Sequence, residues 1–347
     1  MELRVYDKDL MLVGVVENMI NIVWTRRYYE PGEFEITAPL TQRNLDLFHV
    51  GNIVSKKDSI EAGVIEDLTT DEAYDVNQIS IRGRFLSSYF DRRLIQQTFS
   101  FEGYVEQAMR DLIEYVNPIP LVELGESNGF AETVTFQATM KELLSYLTKL
   151  SKASQIGYRL RPDFRNKKLY FETYKGVDRT LSQGVNGRVI FSESYQNLNQ
   201  MTYRYNDKLY KSKAIVGGEG EGSERVYVEV GGGEGLNLRE VFVDAKDIQS
   251  DKMTSSQYRE ALIQRGLDAL AKNMISESIE CETEPNINFQ YRVNYDLGDI
   301  VSIDKQGWGI QFDQRITEIK EIYEGGGMVV SPTFGDPLPQ TIDWEDK

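Results

Sequence analysis

The 347-residue chain has 39 lysine and arginine residues against 55 aspartate and glutamate residues, which gives a formal net charge of −16. Hydrophobic residues make up 40% of the sequence and charged residues 27%, so the chain can bury a large core and general disorder is excluded. A chain of this length accommodates two or three domains.

Two rare residue types restrict the chemistry that the chain can carry out. It has one cysteine, Cys281, and one histidine, His49, so a disulfide within the chain is excluded. Zinc sites and Ser-His-Asp or Cys-His catalysis depend on these residue types and are disfavoured. We interpret His49 as a surface or helix-capping residue and Cys281 as a buried small side chain. No cofactor is predicted.

The sequence contains no membrane signal. No apolar run approaches the roughly 18 residues that a membrane-spanning helix needs. The N-terminus lacks the basic and then apolar layout of a signal peptide. We therefore expect a protein that folds in a cytoplasm and does not insert into a membrane.

Residues 1–97 are predicted to form a first β-barrel domain. Leu3 and Val5 alternate with polar neighbours ahead of the apolar run 10–16, which predicts a β-hairpin. The sequence Glu30-Pro31-Gly32-Glu33 predicts a type II turn and a second hairpin. A short helix capped by Thr41 is expected next. Further strands are predicted around residues 53–54, 63–65 and 79–81.

Residues 98–193 are predicted to form a separate α+β domain. Apolar residues at helical spacing over 105–116 predict a helix of about four turns. Thr139 and Glu142 form a candidate capping box for a second helix, which Gly157 is expected to end. Strands at 158–160 and 168–172 give the two amphipathic helices a surface to pack on.

Residues 194–336 are predicted to form a second β-barrel region with an inserted helix over 255–273. Thr254 and Gln257 suit a capping box at the start of this helix. Residues 316–323 fit a helix or a strand by spacing, and the neighbouring glycines favour a strand. Residues 337–347 are expected to be an extended acidic tail. The predicted class is β-rich α+β with several domains.

A glycine-rich stretch over residues 217–224 is the most conspicuous local pattern. Phosphate-binding loops use glycines to expose backbone N–H groups at a helix start. Here glutamates alternate with the glycines, and a strand is predicted afterwards, so nucleotide binding is disfavoured. We interpret the stretch as a flexible loop.

Carboxylate pairs and basic residues do not identify a site either. With 55 acidic residues, pairs arise by chance, although a pair is what a glycosidase needs. Phosphate affinity requires concentrated lysine and arginine, so sequence-specific nucleic-acid binding is not expected. Arg26 and Arg27 with their aromatic neighbours form either a stacking platform or, preferably, a strand edge that pairs with protein.

Four stretches of the chain together resemble a known family. They are Trp24-Thr25-Arg26-Arg27-Tyr28-Tyr29-Glu30-Pro31-Gly32-Glu33-Phe34-Glu35, Gly83-Arg84-Phe85-Leu86-Ser87-Ser88-Tyr89-Phe90-Asp91-Arg92-Arg93, the loop Gly217 to Arg225, and Tyr295-Asp296-Leu297-Gly298-Asp299-Ile300-Val301. The chain resembles the baseplate hub or tail-associated proteins at the tail tip of long-tailed phages and prophages, which are related in fold to the hub of contractile tails.

The resemblance implies a homotrimeric ring with two similar β-barrels per subunit and smaller α+β domains. Six quasi-equivalent barrels would then face the six-fold tail tube or the distal tail protein and form or close the channel for DNA. The tape-measure protein and a distal tip, fibre or lytic protein are the other implied partners, and the expected location is the virion tail tip. The chain is expected to be a short form, with any hydrolase on another chain, and not an enzyme.

Candidate interface residues follow from this resemblance. They are Arg26, Arg27, Tyr28, Tyr29, Arg92, Arg93, Gly220 and Glu221. The alternative for the arginine pairs, which we weigh equally, is salt bridging within the chain. The alternative function is a tail-tip cell-wall hydrolase that uses a carboxylate pair.

If the first arginine pair links subunits, replacing both Arg26 and Arg27 by alanine should impair ring assembly. Size measurement of the purified variant would show this, and unchanged assembly would refute the assignment.

Overall fold

The computed structural model describes residues 2–73, 76–198, 201–281 and 288–335. The tail predicted over residues 337–347 lies outside this part of the chain. Several separate sheets together with α-helices confirm the predicted β-rich α+β class with several domains.

The N-terminal β unit comprises the strands and the short helix that precede residue 85. They are β1 (Leu3–Tyr6), β2 (Leu12–Val16), β3 (Asn21–Arg27), β4 (Glu33–Pro39), α1 (Gln42–Leu47), β5 (Ile53–Lys56), β6 (Gly63–Val64), β7 (Asp67–Ala73) and β8 (Val76–Arg84). One sheet has the order β2-β1-β5-β6, and β3, β4, β8 and β7 are consecutive strands of a longer sheet. Inward side chains of both sheets, including Trp24, Ile36 and Ile81, share one buried core.

Short sequence patterns in this unit predict its hairpins and its helix cap correctly but not its turn type. Both hairpins are confirmed, since β1 pairs with β2 and β3 with β4. The Thr41 side chain caps α1 by accepting a hydrogen bond from the Asn44 backbone N–H. The type II turn is wrong, because Gly32 is not in the left-handed region that this turn requires. Glycine is needed there for space, since a Cβ would lie 2.2 Å from the carbonyl oxygen of Thr25.

The middle unit packs helices against short sheets. Its elements are β9 (Leu94–Ile95), β10 (Phe99–Tyr104), α2 (Val105–Tyr115), β11 (Val122–Leu124), β12 (Thr133–Ala138), β13 (Lys141–Glu142), α3 (Leu143–Ser154), β14 (Gly157–Asp163) and β15 (Lys168–Tyr174). β10 pairs with β12, β13 with β9, and β15 lies between β11 and β14. The buried faces of α2 and α3 share a core with residues of the N-terminal β unit such as Tyr6 and Ile53.

Two expectations for these helices need correction. α2 has 11 residues, which is three turns and not four. The capping box at Thr139 is wrong, because Glu142 is extended in β13 and pairs with Leu94. The helix starts at Leu143 without a side-chain cap and ends at Gln155, whose φ of 58° is left-handed. Gly157 instead begins β14.

The remaining strands form a C-terminal β unit interrupted by an inserted unit. The elements are β16 (Ile190–Ser192), β17 (Met201–Asn206), β18 (Lys213–Gly217), β19 (Tyr227–Gly231), β20 (Glu240–Asp244), α4 (Ser255–Lys272), β21 (Ser276–Cys281), β22 (Ile300–Lys305), β23 (Ile310–Glu324) and β24 (Gly327–Gly335). The capping box of Thr254 and Gln257 is confirmed at the start of α4. The segment 316–323 is a strand, as the neighbouring glycines predict.

The insertion is larger than a helix. β18, β19 and β20 form a separate three-stranded sheet in the order β19-β18-β20. Its inner face and α4 enclose their own apolar core, which contains Val216, Val228 and Leu262. We call these three strands and α4 the inserted unit, and β16, β17 and β21–β24 the C-terminal β unit.

A single long sheet joins the two β units. In the described residues its main path has the order β17-β21-β24-β23-β3-β4-β8-β7, and β22 branches from β23 and pairs with β16. Every neighbouring pair along the main path is antiparallel. The pairing of β3 with β23 is the connection between the N-terminal and C-terminal β units.

Within the middle unit, Glu106 anchors a loop to the start of α2. Its carboxylate is 2% exposed and accepts hydrogen bonds from the Thr173 hydroxyl at 2.6 Å and the Asn128 and Gly129 backbone N–H groups at 2.8 and 2.7 Å. Burial opposes ionisation, but hydrogen bonds from the Thr173 and Ser127 hydroxyls and from the backbone N–H groups of Asn128 and Phe130 lower the pKa of Glu106 to about 2.

We expect Glu106→Gln to lower the free energy of unfolding at pH 7 by about 2–3 kcal/mol, because buried donors lose a charged acceptor. Because the folded pKa lies below the unfolded value, this stabilisation is present above pH 4.5 and is lost as the pH falls towards 2. Urea unfolding across this range measures both effects. Glu114→Gln, at an exposed position of the same helix, is the control and should change little. Equal losses for the two variants would contradict the anchoring role.

Candidate functional site: the joint between the two β units

The joint is the place where β3 meets β23. Seven residue pairs join these strands in register, from Arg27 opposite Glu318 to Asn21 opposite Glu324. Because β3 also pairs with β4, it is an interior strand with partners on both sides. The relative position of the two β units is therefore fixed by main-chain hydrogen bonding.

Charged side chains of opposite sign form a cluster on the buried face of this strand pair. The cations are Arg26, Lys56 and Arg292, and the anions are Glu61, Asp296 and Glu321. Arg26, Lys56, Glu61 and Glu321 are buried. Buried charges are tolerated when they are paired and hydrogen-bonded, and this cluster meets both conditions.

Arg26 links three segments of the chain. Its Nε donates to Glu61 at 3.0 Å, while its Nη1 donates to the Tyr291 hydroxyl at 3.0 Å and to Asp296 at 2.6 Å. Glu61 belongs to the N-terminal β unit, and Tyr291 and Asp296 belong to the segment before β22. The planar guanidinium therefore bridges both β units at a position that is 3% exposed.

The second bridge is the ion pair between Lys56 of β5 and Glu321 of β23. Their side chains are each 1% exposed. Lys56 also donates to the Tyr323 hydroxyl at 2.8 Å, and Glu321 accepts from Arg292 at 2.7 Å and from Tyr291 at 3.0 Å. Burial lowers the pKa of Lys56 to about 8, although Glu321 opposes the shift. Burial alone would raise the pKa of Glu321, but Lys56 and Arg292 hold it below its usual value.

Three more of the residues predicted for the interface lie at this joint. Arg27 pairs with Glu318 at 2.8 Å and with Glu33 at 2.6 Å. Tyr28 and Tyr29 are buried, and their hydroxyls donate to the backbone oxygen and the side chain of Gln155 at 3.0 and 2.5 Å. They thereby attach the middle unit to the joint.

Arg26, Arg27, Tyr28 and Tyr29 therefore have their partners inside one chain, as in the salt-bridging alternative. An additional role between subunits stays a prediction. Replacing Arg26 and Arg27 by alanine removes these contacts within the subunit and lowers its own stability. An assembly defect of the double variant must therefore be compared with its free energy of unfolding.

Arg92 and Arg93 lie elsewhere, at the end of a short 3-10 helix. Arg92 is exposed and stacks on Tyr89 with 4.3 Å between the guanidinium carbon and the ring centre. Arg93 donates to the carbonyl oxygens of Asn117 and Pro118 at 2.9 and 3.0 Å. Neither has an ion-pair partner among the described residues, and their interface role also stays a prediction.

The glycine-rich loop lies in the inserted unit and is held at both ends. The Arg225 guanidinium donates to the carbonyl oxygens of Gly217 and Gly218. A Cβ at Gly218 would lie 2.3 Å from the Tyr258 hydroxyl, so a larger residue there would displace that side chain. Gly220 has a φ of 95°, and the Glu221 side chain is 93% exposed. These two candidates are thus accessible at the loop tip.

The joint was not predicted from the sequence as a charge cluster. Lys56 follows Val54 and Glu321 follows Ile319 on the inward face of their strands, where a half-buried strand places apolar residues. A charged residue at an inward position of a strand could have indicated a buried ion pair, because charged residues are rarely buried unless they are paired. Nothing local indicates which opposite charge it meets, because the partners are 265 positions apart.

Two further kinds of feature would bear on function in the part of the chain that the structure covers: a metal site and a membrane-spanning helix. No group of three or more histidine, cysteine, aspartate or glutamate side chains there is placed to hold a metal ion. None of the helices in that part is long and apolar enough to span a membrane. His49 is exposed, and burial of Cys281 is confirmed.

A cavity of about 580 Å³ lies between α4 of the inserted unit and the elements α3 and β12 of the middle unit. Its lining is mainly apolar, with Lys149 and Asp268 among the polar groups. Burial lowers the pKa of Lys149 to about 8 and raises the pKa of Asp268. The two units are thus incompletely packed against each other here.

Comparisons with known proteins point to phage tails. A sequence model of the family described as Siphovirus ReqiPepy6 Gp37-like protein matches residues 2–336. No curated protein matches the sequence.

Three solved structures share the fold over nearly the whole length. A tail protein from Neisseria meningitidis MC58 superposes with a TM-score of 0.59 at 14% identity, covering 96% of each chain. The 43 kDa tail protein of prophage MuSo2 from Shewanella oneidensis gives 0.56 at 14% identity, covering 96% of this chain and 98% of that one. Prophage tail protein gp18 from Listeria monocytogenes EGD-e gives 0.56 at 13% identity, covering 97% and 95%. The TM-scores show a common fold, and at identities this low the likeness shows the fold alone.

We expect Lys56→Met to lower the free energy of unfolding by about 3–5 kcal/mol, because Glu321 loses its closest partner inside the joint. Lys168→Met is the matched control, since Lys168 pairs with Glu123 at the surface, with side chains 39% and 46% exposed. It should cost at most about 1 kcal/mol. Chemical denaturation measures both, and a small, equal loss for the two variants would contradict the importance of the joint.

Proposed function

This chain belongs to the Siphovirus ReqiPepy6 Gp37-like protein family, and from that membership we propose that it is a structural hub protein at the tip of a phage tail. The observation that carries the proposal is the fold, which three tail proteins share over 95–98% of their own lengths. A match of this extent includes both β units, the middle unit and the inserted unit.

The arrangement of the two β units supports a role in symmetry adaptation. A three-fold ring meets a six-fold partner in register only if each subunit presents two similar surfaces. The long sheet places two β units side by side in one subunit, and the buried ion pairs of the joint fix their relative orientation. We propose a homotrimer whose six β units face the tail tube or the distal tail protein.

Other partners follow from the position of a hub. The tape-measure protein would end near the ring, and a distal tip, fibre or lytic protein would attach on the opposite side. Three copies would carry three times −16, or −48 formal charges. If part of this surplus faces a channel, it repels DNA phosphates over a Debye length of roughly 8–10 Å and lets DNA pass without adhering.

The copy number tests this proposal. We expect light scattering of the purified protein at assembly concentrations, or a symmetry-resolved image of native tails, to show three copies around one axis. A monomeric mass at every concentration, together with one or six copies in the particle, would contradict the hub.

A cell-wall assay tests the structural role separately. We expect no clearing when the purified chain is applied to host peptidoglycan in a gel. Clearing by this chain alone, abolished by substitution of one carboxylate, would show an enzyme instead.

A further inference from the structure

We propose that the two outer strands of the long sheet pair with each other between neighbouring copies, so that β7 of one copy adds to β17 of the next. The inference rests on the ring proposed above and identifies the strands that close it. It concerns the edges of the sheet, whereas the joint lies in its middle.

β17 has the exposure of a strand that lacks a neighbour. Within the described part of the sheet it pairs on one side, with β21, and the other side is an edge. Thr202, Tyr203, Arg204 and Tyr205 are all exposed, so the strand buries neither face. Strands in a folded sheet normally bury at least one face, and amphipathic tyrosines are typical of protein interfaces.

β7 forms the opposite edge and has the same character. It pairs with β8, and Asp67 and residues 69–72 are exposed. Natural proteins usually protect sheet edges with short strands, prolines, bulges or charged side chains. β7 and β17 have seven and six residues, contain no proline, and pair with their inner neighbours without a bulge. The backbone of both edges is therefore open to strand addition, and the charges on the strands determine which edge each one accepts.

The polarity of the strands allows these two edges to meet. Eight strands lie on the path from β17 to β7, and each neighbouring pair is antiparallel. Strand direction alternates along the path, so its two ends run in opposite directions. When a second copy is added by rotation around a ring axis, its β17 lies antiparallel to β7 of the first. An odd number of strands would have forced a parallel contact.

The charges on the two edges favour unlike pairing. β7 carries Asp67, Asp71 and Glu72, whereas β17 carries Arg204. Asp67 lies opposite Arg82 of β8 and interacts with it electrostatically, whereas Asp71, Glu72 and Arg204 have no ion-pair partner among the described residues. Two β7 edges would bring carboxylates together, and two β17 edges would bring arginines together, which is unfavourable for opposed residues. A β7-to-β17 contact is heterologous, the type that closes into rings.

Cysteine cross-linking tests the contact directly. Thr69 or Thr70 of β7 and Thr202 or Tyr203 of β17 are each replaced by cysteine, in all four double combinations, which sample three adjacent registers near the middle of the two strands. The parent protein retains only Cys281, which is buried. Mild oxidation should give covalent dimers and trimers on a non-reducing gel for at least one combination.

Single variants give the matched controls. A cysteine on β7 alone or on β17 alone should not cross-link, but a mixture of the two single variants should give a covalent dimer. A double variant with Thr70→Cys and Glu229→Cys, where Glu229 is exposed on β19 of the inserted unit, should not cross-link. Cross-linking of a single variant with itself would overturn the unlike pairing.

The outcomes separate this inference from the hub proposal. A trimeric mass without cross-links in any combination, together with parental association of Arg204→Glu, would refute the edge contact and leave the hub intact. A monomeric mass at every concentration would refute the hub.

Charge reversal gives a second readout that does not require two cysteines to lie directly opposite each other. Arg204→Glu should weaken self-association at least about tenfold, because like charges then oppose one another across the contact. The melting temperature of the dissociated subunit, measured at a concentration where the parent is also monomeric, should stay unchanged, since Arg204 is exposed. Adding Asp71→Lys and Glu72→Lys should restore association. Association of Arg204→Glu at the parental level would contradict the role of the edge charges.

Discussion

The ion pair of Lys56 and Glu321 constrains the whole subunit, because it joins the two β units at a point that water does not reach. Removing two charges from water costs several kcal/mol per ion unless partners are placed with good geometry. Arg292, Tyr291 and Tyr323 complete that geometry around Glu321. A displaced joint would leave uncompensated charges, so we infer that the cluster selects one arrangement of the β units more than it adds stability.

The other units are attached to this fixed frame in a hierarchy. Tyr28 and Tyr29 connect the middle unit to the joint through Gln155. The inserted unit in turn contacts the middle unit, where Gln137 accepts from the Gln249 backbone N–H at 2.9 Å. A cavity remains between α3 and α4. The two β units are thus joined by paired strands and buried ion pairs, whereas the contact between the middle unit and the inserted unit includes a cavity.

Sequence reasoning succeeded where structure depends on neighbouring residues. The Thr41 cap, the capping box at Thr254 and both hairpins are set by residues within a few positions. It failed at Thr139, because the pairing of Glu142 with Leu94 competes with the helix start. It also missed the joint and the Glu106 anchor, whose partners are distant in sequence. Among 55 acidic residues, only the inward position of Glu321 in its strand marked it as different.

The pairing of β3 with β23 also has a consequence for the order of folding. Arg27 and Glu318 are 291 positions apart, so β3 has no partner on one side until almost the entire chain has been synthesised. Contacts this distant carry a large loop-closure entropy and are formed late. During synthesis the N-terminal β unit therefore exposes an unpaired strand and the unmatched charges of Arg26 and Lys56. The sheet of the N-terminal β unit is thus completed by a strand from the other end of the chain, and a chain that stops before β23 lacks it.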